Sequence, residues 1–319
     1  MVTARSRGLR ALAGPDPPGP GVGAPGPWSP AGVRARRLGP HLFLGADACD
    51  FRGTVDGGDA ELLRFPNGDA RPLDAVVAAA PRGAVVALGP GRFHVSLALD
   101  RAVTLRGCGE LTRLVGVDAG ATVRVELEGD ERVVLESLAL SGAHERRALE
   151  VAGGRVELTN VVLLDGAATD GGALRVLGGA VEGTRVRIER SRAERGGAAA
   201  VVGEASLALS EASISRCEAG LGGALYAEGG VVVALRATEV ERVRATRQAS
   251  GQVMALVSVG RQEPRVWLQR VCFRDAPSGH PVALEGHARA HVTVVGCELP
   301  RQLREVPGVT EYGQGTRWR

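Results

Sequence analysis

Lysine is absent from the 319 residues, so all 39 side chains counted as Lys+Arg are arginine. A Schiff-base lysine, a phosphate-loop lysine and a lysine general base are thereby excluded. Aromatic residues make up only 3%, and Asn and Ile occur twice each, so a core must be assembled from Val, Leu and Ala. No apolar run approaches the about 18 residues of a membrane-spanning helix, and no span is expected. The five cysteines (Cys49, Cys108, Cys217, Cys272 and Cys297) contain no CxxC pair and are odd in number. That argues against a disulfide framework and for buried thiols acting as small hydrophobes. The opening MVTARSRGLRALAGPDPPGP breaks its apolar stretch at proline and does not read as a signal peptide. The expected location is cytoplasmic, with export left open.

Glycine is plentiful, at 46 residues, and 44% of the chain is hydrophobic, enough to bury a core. Net charge is +3 but unevenly placed. Residues 1–40 hold eight Pro, eight Gly, six Arg and a single acid, Asp16. This segment reads as a disordered basic tail, and its binding reading is an anionic partner. Residues 41–71 read as a lead-in segment with one or two short strands. Leu73, Val76, Val77 and Ala80 then fall on one helical face, between Pro72 and Pro81. Beyond this helix the apolar period changes from helical spacing to alternation.

The tetrads Gly171–Leu174, Gly196–Ala199 and Gly222–Leu225 recur at spacings of 25 and 26 residues. The segments preceding them align without gaps. Val156, Val181 and Leu207 form one column; Val161, Val186 and Ala212 a second; Leu163, Ile188 and Ile214 a third. The same beat runs upstream at Leu135, Leu138 and Leu140. It runs downstream through Leu235, Thr238 and Val240, then Leu268, Val271 and Phe273, then Val294, Cys297 and Leu299. Leucine-rich repeats need an Asn signature, helical repeats a 3.6 period, and propeller blades a longer unit. A period near 25 with alternation fits one coil of a parallel β-helix, in which like residues stack on the next coil. The expected fold is therefore all-β, a parallel β-helix of eight or nine coils from Ala84 to Leu299, which with its N-terminal cap helix makes up 72–299. The helix caps its first end, and residues 300–319 form a C-terminal tail or cap.

The stretch Leu73 to Gly109 resembles the opening of the pectin-lyase-like superfamily of right-handed β-helices. There a helix of AV-x-A-A type leads into a glycine-led strand, a PG-x-[YF] turn (here Pro90-Gly91-Arg92-Phe93) and a strand ending L-x-G (Leu105-Arg106-Gly107). The tetrads also look like the GGA-[IL] repeats of polymorphic-outer-membrane-type β-helices, whose F-x-x-N motif is missing. The resemblance implies a fold and leaves the activity open. Polysaccharide-cleaving members use clustered acids, a Ca²⁺ site or an Arg/Lys base. The NTD, DD, GHG and RIK pattern of the polygalacturonase-like enzymes is absent, Arg187-Ile188-Glu189 being the nearest fragment, and so is the DPHE motif of alginate epimerases.

Among the residues themselves, Asp165 and Asp170 have Arg190 and Arg195 at the equivalent positions one coil later. This acid-over-base stack reads as ion pairs rather than a metal cage. Arg185, Arg187, Arg190, Arg192 and Arg195 form a basic coil interleaved with Glu182, Glu189 and Glu194. Its functional reading is a stripe for uronate or phosphate, and its plain reading a solvated salt-bridged face. Tyr226 and Trp267 are the aromatic candidates for exposed binding positions. His287 and His291, four apart, lie in strand and turn, where that spacing does not make a metal site; His144-Glu145 reads as surface polarity. The first expectation is a non-catalytic scaffold or binding surface for a protein or polysaccharide, without cofactor. The alternative is a polysaccharide lyase, hydrolase or epimerase, with Asp165, Asp170 and Arg187 as catalytic candidates and Ca²⁺ as its only implied cofactor.

Overall fold

In the winding that starts at Ala180, four short strands follow one another: Ala180–Thr184, Arg187–Glu189, Arg192–Arg195 and Ala199–Gly203. Residues with positive φ turn the chain between them, namely Arg185 (55°), Arg190 (53°) and Gly196 (66°). One winding later the same corners fall on Glu211 (52°), Arg216 (54°) and Gly222 (59°). An L side chain in this left-handed conformation is strained. Here each such amide is held by the next winding: Arg185 N–H donates to Ser210 O at 3.0 Å and Arg190 N–H to Ser215 O at 3.2 Å. The third corner takes glycine for a second reason. A Cβ on Gly172 would stand 2.5 Å from Gly197 O, and one on Gly196 would collide with Ala199 O. At the tetrads the corner leaves no room for a side chain, either against the next winding or against the chain three residues on.

The computed structural model describes residues 62–65, 72–247, 253–274, 282–285, 290–299, 309–311 and 316–318, all within the unit Gly45–Arg319. The basic tail lies outside the described residues, as does most of the 41–71 lead-in. Strand pairing is parallel throughout the named strands, in three sheets of 19, eight and four described strands. The eight-stranded sheet gives the clearest register. Leu97, Val123, Leu149, Leu174, Ala199, Leu225, Met254 and Val282 are successive partners, separated by 25 to 29 residues. About seven right-handed turns result. This is fewer than the eight or nine expected, because several windings exceed 25 residues and the chain at each end completes only part of one.

The columns read from the sequence are the files of the core. Val156 pairs with Val181 and that with Leu207; Leu140, Leu163, Ile188, Ile214, Val240 and Phe273 pair in succession. All belong to one continuous buried cluster. The helix spans Leu73–Ala79, and Leu73, Val77 and Ala80 join that same cluster, so its apolar face closes the core as expected. The lead-in contributes the strand Leu62–Phe65, paired with Val85–Leu88. At the other end Val309–Glu311 and Arg317–Trp318 continue the long sheet. One expectation fails: Cys108 is disulfide-bonded, whereas Cys217, Cys272 and Cys297 remain thiols. An odd count conceals a single bridge, because one cross-link needs no periodic spacing. Burial pushes the Cys217 thiol up to about 12.

Candidate functional site

The long sheet bends at the positive-φ corner within each winding, so its outward side has two facets. On the second facet the outward positions are Arg113, Ala139, Val162, Arg187 and Ser213 in one file, and Leu164 and Glu189 in the next. Outward residues of a surface sheet are ordinarily wet, yet Ala139, Val162 and Leu164 are buried and form their own small apolar cluster. The 3-10 turn Gly109–Leu111 lies against the two strands that carry them. Charged groups converge beside this patch. Glu189 accepts from Arg187 Nε at 2.9 Å, Arg190 Nη1 at 2.7 Å and Arg216 Nη2 at 2.9 Å. Arg190 Nε also donates to Asp165 at 2.8 Å, and His144 Nε2 stands 3.7 Å from the same carboxylate. Glu110 reaches across from the 3-10 turn to Arg187 Nη2 at 2.5 Å. The hydrogen bond from Arg190 to Asp165 holds the Arg190 guanidinium above its ordinary pKa and keeps it charged.

Of the sequence candidates, Asp165, Arg187 and Arg190 are therefore brought together. Arg192 touches the group only through its bond to His144 O at 3.2 Å, and Arg185 is exposed at the preceding corner. Asp170 belongs elsewhere. It accepts from Arg195 Nε at 2.5 Å, the second half of the acid-over-base stack, but beside the eight-stranded sheet. There Arg175 lies between Asp170 (3.5 Å) and Glu150 (3.9 Å), and Glu150 is bound more closely by the buried Arg147. Asp165 and Asp170 thus serve two separate clusters, because a corner of the winding turns the chain between them.

Tyr226 corrects the sequence reading. Its side chain points outward on the eight-stranded sheet but is only 4% exposed. Arg195 lies 5.1 Å from its ring centroid, and its hydroxyl donates to Glu228 at 2.6 Å. Burial, with help from Glu228, pushes the phenol up to about 12. Since the unfolded phenol titrates near pH 10, this group's stabilising contribution is complete below about pH 10 and is lost as pH rises towards 12. Absorbance titration of tyrosinate should show a component ionising near 12 that Tyr226→Phe removes. A wild-type curve ending near the ordinary tyrosine value would contradict this.

Trp267 is 41% exposed, on the first facet of the long sheet. Its outward file reads Glu157, Glu182, Ala208, Ala234, Trp267 and Thr293. The file beside it reads Thr159, Thr184, Ser210, Arg236 and Gln269. Trp267 and Tyr226 consequently stand on different sheets and make no common platform. His291 Nε2 pairs with Glu263 at 3.0 Å, and His287 lies outside the described residues. Among the described residues no three His, Cys, Asp or Glu side chains gather in a metal-holding group, and no helix is long and apolar enough to cross a membrane.

The fold defined by these windings is a right-handed parallel β-helix. Two crystal structures of pectin methylesterase, one of a mutant with one hexasaccharide and one with another, are similar to the chain. For each the TM-score is 0.51 and the identity 11%, over 82% of this chain and 92% of the other. At that identity the likeness establishes the fold. No protein-family model and no curated protein sequence matches the chain.

Proposed function

We propose that the protein binds an extended polysaccharide along the first facet of the long sheet, with Trp267 as the stacking platform. The exposed indole carries this reading. It stands in line with Ala208 and Ala234, whose small side chains leave a clear path for a chain lying along the windings. Thr184 and Ser210, hydrogen-bonded to each other at 3.1 Å, lie beside that path and offer hydroxyls to a sugar. Successive windings are spaced by about 4.8 Å, comparable with one sugar ring of an extended glycan. The apolar face of a pyranose ring covers an indole well, and its hydroxyls stay free for the Thr and Ser positions. The likeness to proteins crystallised with hexasaccharides supports the polymer over a small ligand.

Intrinsic fluorescence titration with polygalacturonate, alginate and xylan tests the proposal. At least one polymer should quench or shift the emission, and Trp267→Ala should weaken binding about tenfold or more, in line with the loss of one stacking contact. Unchanged affinity in that variant, or no response to any of the three, would remove the reading. An enzymatic alternative would use the second facet instead, where Arg190 binds both Asp165 and Glu189 and His144 stands 3.7 Å from Asp165. Incubation with polygalacturonate and alginate, with and without Ca²⁺, should then generate the ultraviolet absorbance of an unsaturated uronate if the chain is a lyase.

A further inference from the structure

We propose that Arg92 and Arg113 bind a phosphate group between their guanidiniums, and that the stacking of these two like charges makes the site. The two are register partners on the strands Gly91–His94 and Thr112–Val115. They therefore stand one winding apart, with about 4.8 Å between their backbones. Their neighbours Phe93 and Leu114 pack into the core, so alternation points both arginines outward on the second facet of the long sheet. Arg92 is exposed and Arg113 half-buried.

Like charges directly opposite one another destabilise a sheet, and elsewhere in the named strands acids neutralise stacked arginines. Arg106 is paired with Glu136 and Arg244 with Glu218, each on the neighbouring winding. Arg132 over Arg155 is the other arginine-on-arginine step among the named strands, and each member has its own acid, Glu157 at 2.8 Å and Asp130 at 3.6 Å. Among the described residues no carboxylate pairs with Arg92 or Arg113. Glu110, three residues before Arg113 in the chain, pairs with Arg187 instead. Two guanidiniums in one file are thus left without a counter-charge. Their planar forks match the oxygens of a phosphate, and a dianion cancels both charges at once, as a single carboxylate does not. His94, exposed and two residues beyond Arg92 on the same outward side, offers a ring N–H to a further oxygen. The ladder between the two strands sets the spacing in advance, and both side chains reach solvent without any segment moving. The facet is not that of Trp267, so the inference does not depend on the polysaccharide reading.

Inorganic phosphate is the first probe, titrated calorimetrically into the full chain at an ionic strength held constant with sodium chloride. Wild type should bind it, and Arg92→Gln and Arg113→Gln should each weaken binding about tenfold, the loss of one charge-assisted contact. Acetate, a single charge, should bind wild type about tenfold more weakly than phosphate. Arg265→Gln is the control: that arginine also has no partner among the described residues, but it stands on the first facet, and its loss should leave phosphate affinity unchanged. Glycerol phosphate is the second probe. Affinity equal to that of phosphate assigns the site to a phosphate ester on a larger molecule, whereas binding about tenfold weaker assigns it to the free ion. Without phosphate, Arg92→Gln should melt no lower than wild type, because it relieves a repulsion. The proposal is overturned if wild type does not bind phosphate, if either stacked arginine can be replaced without weakening binding, if Arg265→Gln weakens it equally, if acetate matches phosphate, or if Arg92→Gln melts lower.

Discussion

Gly196→Ala is expected to lower the unfolding free energy by about 3 kcal/mol or more, from left-handed strain together with overpacking. Gly196 has a φ of 66°, and a Cβ there would collide with Ala199 O while meeting Tyr226 Cβ at 3.0 Å. Carbonyl oxygens of a hydrogen-bonded winding cannot rotate aside, and the same corner is repeated at Gly171 and Gly222. Gly129→Ala is the matched control. Its φ of 62° is nearly the same, but nothing lies within 4 Å of the new methyl. The control should lose only about 1–2 kcal/mol of left-handed strain. Urea unfolding of the two variants, compared by midpoint and slope, isolates the packing contribution of the corner. Equal losses would mean that the Ala199 carbonyl and Tyr226 do not close off the space beside Gly196.

Leu163→Ala should cost about 3–4 kcal/mol, the transfer energy of the lost carbons plus that of an unfilled cavity. Leu163 is fully buried and stacked in register between Leu140 and Ile188. Neighbouring windings are pinned by their ladders, so they cannot collapse into the space. Val117→Ala, at a side chain 47% exposed, should change stability by no more than about 0.5 kcal/mol. If Leu163→Ala were as mild, the inward file would not be a packed core.

Much of this arrangement is legible in the sequence, and the legible part has one character. Residues at equivalent positions of successive repeats were read as neighbours, and they are: the files through Leu163 and Val181, and the pairs Asp165–Arg190 and Asp170–Arg195. A shared register converts a sequence spacing near 25 directly into adjacency. The helix cap was equally readable, because its apolar face had to be covered by something. Glu110 was not singled out. Its partner is 77 positions away, three windings on rather than on the adjacent one, and only the path of an irregular turn connects them. Tyr226 was misjudged because alternation says which way a side chain points, whereas Arg195 and Glu228 decide whether water reaches it.

Relations along the axis of the solenoid were thus encoded in the spacing of Val, Leu, Ile and Gly, since backbone hydrogen bonds between windings allow a single alignment that buries every apolar file. Relations around the circumference depended on folding. Asp165 and Asp170 look adjacent in the chain, but the corner between them assigns them to separate clusters. The same is true of Tyr226 and Trp267, which the winding sends to different sheets. A repeat pattern specifies which residues stack; the angle of each corner and the course of each inserted turn, set by contacts between non-equivalent residues, specify which of them meet at a site.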